Sequence, residues 1–307
     1  MIRDLANARR RRAGQRRLDQ RLALRLVLPA ALLILTFEIY PIALAAFDGF
    51  FHVDPYSFAR RFVGLANFRR VLTDVEVQAS FARSVVFTAV TVALQIALGL
   101  AVAMLLNAGL RGQTVARGLV LFPFMVPAVV AALVFRFMFS PVYGALNYVL
   151  LSSGILHQPV SFLDSPGTVL WTLIGVQTWK FTPFMVVMLL ARLQTVPRDL
   201  REAAAIDGAG PTRILLHVTL PWLAPVLLVG AFLRTIWTAT TYDLPYLLAQ
   251  GGPLHASTTA PIEIRTLAFD RQDIGAASAL AVCIGAVLIV LSAGYLRAYR
   301  RSATQIE

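Results

Sequence analysis

The sequence is poor in charge and in reactive side chains. Only 14% of its 307 residues are charged, against about 25% in an ordinary soluble domain. It has one cysteine, Cys283, inside an apolar run. That excludes a disulfide within the chain and a cysteine-based metal site, and a small buried hydrophobe is the simplest reading of it. The four histidines, His52, His157, His217 and His255, are scattered and give no metal-ligand spacing. No G-x-S-x-G nucleophile elbow occurs. Lys180 is the single lysine and follows Trp179, so the chain has no P-loop of the form G-x-x-x-x-G-K-[ST] and does not bind ATP that way.

What remains is apolar. Hydrophobic residues make up 58% of the chain and the mean hydropathy is +0.70. One aqueous core cannot absorb that surface, so the chain must face lipid. A span needs about 20 mostly apolar residues. Six such stretches are present: Leu24–Phe47, Ser84–Leu106, Ala116–Phe139, Thr168–Leu193, Leu220–Tyr242 and Ala276–Leu296. The expected fold is an all-α membrane protein with six transmembrane helices. Residues 1–23 form a basic tail, 24–296 the six-span domain and 297–307 a C-terminal tail.

Net charge is +12, but its placement argues against nucleic acid. Nine arginines lie at or before Arg25, up to the start of the first span, and no nucleic-acid module is present. A basic tail beside a span is a topology signal that also attracts anionic lipid. The apolar run after it is too long for a cleaved signal peptide. Across the chain, one set of connections and tails carries 18 arginines and the other set seven. The excess predicts that both termini are cytoplasmic. Among the external segments, Phe51–Thr73 interleaves aromatic and basic residues as a helix lying in the interface would. Ser140–Gly167, broken by Pro141, Gly144, Gly154, Pro159 and Pro166, leaves room for one short helix near Ala145–Leu151.

The cytoplasmic connection at 196–221, between spans four and five, is the most patterned. Pro197 ends the fourth span. Asp199 with Glu202 three residues on suggests a capping box. Leu200, Ala203, Ala204 and Ala205 follow as a short helix with a small-residue face, and Asp207-Gly208-Ala209-Gly210 breaks it. A second short helix is expected over Thr212–Val218. The residues alone leave two readings open: an element on which another protein docks, or an amphipathic connector resting on headgroups.

Charged groups at membrane depth are functional candidates by default. Lys180, with Phe181 and Phe184, lies in span four; Arg234, with Trp237, Thr238 and Thr241, lies in span five. Aromatic faces beside hydroxyl and cationic donors suit a sugar, whose rings stack and whose hydroxyls need hydrogen-bond partners. Two cations also suit an anionic solute, and a structural pairing role for Arg234 stays open. Arg136, near an outer end, fits snorkelling, and Glu38 is placed either to pair with it or at the outer interface.

The loop resembles the EAA motif of ABC importer permeases. Glu202-Ala203-Ala204, Gly208 four positions on, Val218 and Leu220-Pro221 fall on that pattern. Phe62-Val63-Gly64-Leu65-Ala66-Asn67-Phe68 is similar to the F-x-G-L-x-N-F signature of the maltose and glycerol-phosphate type. Gly251-Gly252-Pro253 with Thr258 is similar to its G-G-P-x-x-x-T element. The resemblance spans nearly the whole chain after about residue 20, but this chain lacks the extra leading helices and large external insertion of the larger maltose subunit. It implies a permease subunit, not an enzyme, in the cytoplasmic (inner) membrane of a prokaryote. Implied partners are a second permease subunit, two ATP-binding subunits that hold ATP and Mg, and an extracytoplasmic solute-binding protein. No cofactor or metal is implied on this chain. Leu200, Glu202, Ala203, Ala204, Asp207, Gly208 and Ala209 become the ATPase-docking set. Lys180, Phe181, Phe184, Arg234, Trp237, Thr238 and Thr241 fall on the two spans from which the larger maltose subunit contacts sugar. That subunit is rich in asparagine where this chain has threonine, so the cargo is not read. The competing class is a self-sufficient secondary transporter or a membrane-embedded enzyme. A secondary transporter would more often show repeated halves and broken intramembrane helices, and neither stands out in the sequence.

Overall fold

Asp74 marks where the longest helix begins. Its carboxylate accepts from the backbone N–H groups of Glu76 and Val77 at 2.8 and 3.2 Å, satisfying donors a helix start leaves bare. The computed structural model, which describes residues 25–109 and 111–303, therefore starts the second span at Val75, not at Ser84. The expected basic tail at 1–23 lies outside the described residues.

In chain order the structure has α1 (Arg25–Asp48), a hairpin of β1 (Phe51–Val53) and β2 (Arg60–Phe62), α2 (Ala66–Thr73), α3 (Val75–Asn107), α4 (Gln113–Met125), α5 (Ala128–Met138) and α6 (Ala145–Ser152). Then come α7 (Val169–Leu193), α8 (Arg198–Ile206), α9 (Pro211–Ala239), α10 (Asp243–Ala249), α11 (Ala260–Arg265) and α12 (Ile274–Ala303). Helices α1, α3, α7, α9 and α12 are each long and apolar enough to cross a membrane.

The expected third span, Ala116–Phe139, is not one helix. It is α4 and α5, bent by 93° between Met125 and Ala128. Pro123 lies inside α4 and Pro127 caps α5. A residue before proline is pushed out of the helical region, and Val126 is extended, with φ −67° and ψ 126°. The described residues thus contain five unbroken helices long enough to span, and a sixth span only if the bent pair is counted as one.

Three smaller expectations are corrected. Phe51–Thr73 is not a single interfacial helix: Phe51 pairs with Phe62 across β1 and β2, and only α2 is helical. Among the described residues the fold is therefore helical with one two-stranded ribbon. The second helix of the cytoplasmic loop is not separate from span five; Pro211–Ala239 runs on through a π-helical stretch at Leu215–Thr219. Asp199 does not cap α8. Pro197 holds the N-cap position and no side chain caps it. The expected short helix at Ala145–Leu151 is present as α6.

Helix α7 is the centre of the bundle: 61% of its span is buried, against none of α1. Its most extensive partner is α3. The two approach closely at Gly99, where an added Cβ would lie 2.6 Å from the Met185 Cβ. Along both helices, one apolar cluster with Phe87, Leu173 and Ile174 lies toward one end. A second, with Ala103, Met185 and Leu189, lies toward the other. A third cluster holds α12 against α2 and the start of α3 through Val71, Val77, Leu267 and Leu280.

Candidate functional site

Between the first two clusters lies a polar layer. On α3, Thr88, Thr91 and Gln95 share one face at helical spacing and all three are buried. On α7, Gln177, Thr178 and Lys180 are buried as well, and so are Arg234 and Thr238 on α9. A buried polar group without a partner is expensive, and Thr88 Oγ1, Thr91 Oγ1, Thr178 Oγ1 and Gln177 Oε1 have none among the described residues; the bonds that hold the layer run through Gln95, Arg234 and Lys180.

Arg234 is tied on three sides. Its Nε donates to Gln95 Oε1 at 2.8 Å and its Nη2 to Thr238 Oγ1 at 3.2 Å. Its guanidinium lies 4.4 Å from the Phe181 ring centre and 5.9 Å from that of Trp237. Gln95 in turn donates Nε2 to the carbonyl of Gln177 at 3.1 Å. A carbonyl can only accept, so this bond fixes which end of the Gln95 amide faces Arg234. Three helices therefore hold one charge. Nη1 of Arg234 makes no hydrogen bond among the described residues.

Lys180 caps a different defect. Its Nζ donates to the carbonyl of Val126, at the 93° break between α4 and α5, where the helical ladder is interrupted. It also sits 5.3 Å from the Phe181 ring centre. Phe181 packs edge-on against Phe124 at 6.0 Å, and Phe184 against Trp237 at 5.2 Å. The aromatics form the outer skin of the cluster: Trp237 is 45% exposed, whereas Arg234 is 2% and Lys180 4% exposed. Six of the seven substrate-path residues expected from sequence thus stand together. Thr241 stands apart, its hydroxyl donating to Asp243 at 3.3 Å. Gln95 is the residue sequence reasoning missed.

The cytoplasmic loop has the opposite character. In α8, Leu200, Glu202 and Ala203 are exposed and Ala204 is half-buried. The helix ends in a Schellman motif: Gly208 N–H donates to Ala205 and Ala209 N–H to Ala204, at 3.1 and 2.9 Å. Gly208 has φ +78° and open space where a Cβ would point, the left-handed conformation that this closure requires. Asp207 and Gly208 are exposed, Ala209 half-buried. A groove of about 680 Å³ runs between α8 and the first turns of α9, lined by Met104, Arg198, Glu202, Ile214 and Thr219.

The signature residues near the other end are structural ties. Asn67 Nδ2 donates to the carbonyls of Gly49 and Phe51 at 3.0 and 2.8 Å. An added Cβ at Gly275 would meet both Phe51 O and Asn67. Thr258 donates its hydroxyl to Gly251 O at 3.0 Å. Glu38 is exposed on α1. Arg136 lines a polar pocket of about 350 Å³ with Ser140, Asp164 and Gln250.

In α11, Glu263 is fully buried, neither of its carboxylate oxygens has a hydrogen bond among the described residues, and Arg271 stands 3.5 Å away. Burial pushes its carboxyl above the usual range. Arg271 and His255 oppose that shift, and Glu76 and Asp74 add to it.

The family model for the binding-protein-dependent transport system inner membrane component matches residues 95–304. The chain is 36% identical over 286 residues to a trehalose/maltose transport system permease protein of Thermococcus litoralis, covering 92% of this chain and 95% of that one. It is 34% identical over 283 residues to a sulfoquinovosyl glycerol transport system permease protein of Agrobacterium fabrum, covering 92% and 91%. In fold it is similar to a chain of a bacterial ABC transporter involved in import of the acidic polysaccharide alginate, with TM-score 0.80, 20% identity and coverage of 94% and 99%. The chain belongs to the binding-protein-dependent transport system inner membrane components: it is a permease subunit of an ABC importer, not an enzyme.

Proposed function

We propose that this chain is one of two different permease subunits in an ATP-driven importer of a sugar or sugar-like solute: an oligosaccharide, disaccharide, polyol or glycerol phosphate. Two ATP-binding subunits carry the ATP and Mg. An extracytoplasmic solute-binding protein delivers the cargo. Both termini and α8 face the cytoplasm, in keeping with the arginine distribution of the connections.

The observation that carries the mechanism is α8. It is short, exposed, small-sided and closed by Gly208, and it is joined at both ends to spanning helices. Leu200, Glu202, Ala203, Ala204, Asp207, Gly208 and Ala209 form the docking surface. ATP-driven closure of the partner subunits displaces α8, and spans four and five follow, turning the cavity outward.

Support for the cargo comes from the relatives, whose names specify trehalose or maltose and sulfoquinovosyl glycerol, and from the cluster of Lys180, Phe181, Phe184, Arg234, Trp237 and Thr238. Thr241 is the least engaged member. An anionic solute is the second reading, favoured by the unpartnered Nη1 of Arg234.

The test is uptake into proteoliposomes of radiolabelled trehalose, maltose and sn-glycerol 3-phosphate, each with its candidate binding protein. Uptake that requires ATP, the ATPase subunits and the binding protein is expected. Uptake by this chain alone would contradict the reading and favour a self-sufficient transporter.

A further inference from the structure

The ends of the coupling segment are joined to each other by side chains. At the end of α7, Arg192 donates Nε to the carbonyl of Trp222 at 3.2 Å, and its guanidinium stacks 4.8 Å from the centre of the Trp222 ring. Trp222 returns the contact: its Nε1–H donates to the hydroxyl of Thr195 at 3.3 Å. The Thr195 hydroxyl donates back to the carbonyl of Arg192 at 2.8 Å. These bonds close a ring between the last turn of span four and the fifth span, and everything from Val196 to Pro221 lies inside it.

Position matters here. The π-helical stretch Leu215–Thr219 lies between α8 and Trp222. A π stretch is a local irregularity in the i→i−4 ladder and a common place for a helix to give. Within it His217 Nδ1 bonds the carbonyl of Arg213 at 3.0 Å. Without a bond beyond it, a push on α8 could be taken up by this stretch before it reached span five. Trp222 lies past the stretch, so the bonds to Arg192 and Thr195 bypass it.

We propose that Arg192, Thr195 and Trp222 form a clasp that makes the inner ends of spans four and five one rigid body, so that displacement of α8 moves both spans together. These are positioning residues: they act through α8 and the spans and touch neither cargo nor nucleotide. The inference rests on the reading of α8 as the ATPase-docking element.

The test uses the full complex, reconstituted with its ATPase subunits, in a Cys283→Ser background. Spin labels go on Asp199→Cys in α8 and Thr240→Cys at the far end of α9, both exposed positions. The inter-label distance is measured without nucleotide and after trapping with ATP and vanadate. With the clasp intact, the distance is expected to be the same in both states. With Trp222→Ala, ATP hydrolysis is expected to persist. The distance should then change on trapping by about 2 Å or more, the scale of helix shifts at switching interfaces. Trp222→Phe keeps the stack and loses only the Thr195 bond, so it should fall between. Thr195→Val, a solvent-side change that leaves the core untouched, should match the Phe variant. A distance as sharp and as independent of nucleotide in Trp222→Ala and Thr195→Val as in the unmodified chain would overturn the clasp alone. Failure of the unmodified chain to bind the ATPase subunits would overturn the docking reading and the clasp with it.

Discussion

The α8 loop and the Arg234 layer are held in opposite ways. In α8 the order is in the backbone. A Schellman closure at Gly208 fixes its end, and most of its side chains reach outward. In the layer around Arg234 the order is in the side chains. Helices α3, α7 and α9 each contribute to the bonds and stacks on one guanidinium, and little of it is exposed. The first arrangement suits a surface that another chain grips. The second suits a charge that must stay in one place while helices around it move. The two regions should therefore fail differently when altered.

The largest expected effect is at the loop. Gly208→Pro cannot adopt φ +78°, since proline is fixed near −65°, and it loses the N–H that bonds Ala205. Uptake should fall about a hundredfold, the consequence of a loss near 2.7 kcal/mol, while the chain still inserts. ATP hydrolysis by the bound partner should persist without transport. A bulky side chain at exposed Ala203 should act one step earlier, reducing co-purification of the ATPase subunits.

Arg234→Met addresses the other side of the comparison. It strands Gln95 Oε1 and removes the stack on Phe181. An unmet buried acceptor costs about 1–3 kcal/mol. Uptake should fall about thirtyfold, with the ATPase subunits still bound. Gln95→Leu should reproduce part of this loss although it leaves the charge in place, and an unaffected Gln95→Leu would show that the Arg234 side chain orients itself.

Trp237→Ala should be milder, because Trp237 is 45% exposed and packs edge-on against Phe184. Loss of an aromatic pair of about 1 kcal/mol gives about fivefold weaker uptake. Normal uptake would remove Trp237 from the substrate path.

The smallest expected effect lies outside both regions, at Glu263. The Glu263 carboxyl is raised by burial. Between the ordinary and the raised value the folded state therefore binds a proton that the unfolded state has released. Stability should fall as pH rises from the ordinary carboxylate range through the raised value, and stay lower above it. Glu263→Gln should remove that slope and raise the thermal midpoint slightly at neutral pH, read by melting in detergent at several pH values. A slope unchanged in the variant would assign it to another group.

Much of this was legible in the sequence, for physical reasons. Gly208 announced the loop's turn, because left-handed backbone favours glycine. Lys180 and Arg234 announced themselves as charges in apolar runs. Gln95 did not, because one amide in a long apolar helix is unremarkable until its partner, 139 residues away, is in place. The break at Val126 was hidden by continuous hydropathy, although Pro123 and Pro127 both signalled it. The hairpin before α2 was hidden in the same way. Asp54 turns the chain there by accepting from the N–H groups of Tyr56 and Ser57, and hydropathy does not register such a turn. The helix-capping reading of Asp199 failed because Pro197 already set the start of α8.

The central claim is that docking and cargo recognition reside in separate regions of the chain. Its most direct test is one pair of measurements, uptake and ATPase-subunit retention, made on Ala203→Trp and Arg234→Met in the same reconstituted complex. Both variants should lose uptake, Ala203→Trp with loss of the ATPase subunits and Arg234→Met with full retention. Loss of the ATPase subunits from Arg234→Met, or unimpaired uptake by Ala203→Trp, would contradict the account.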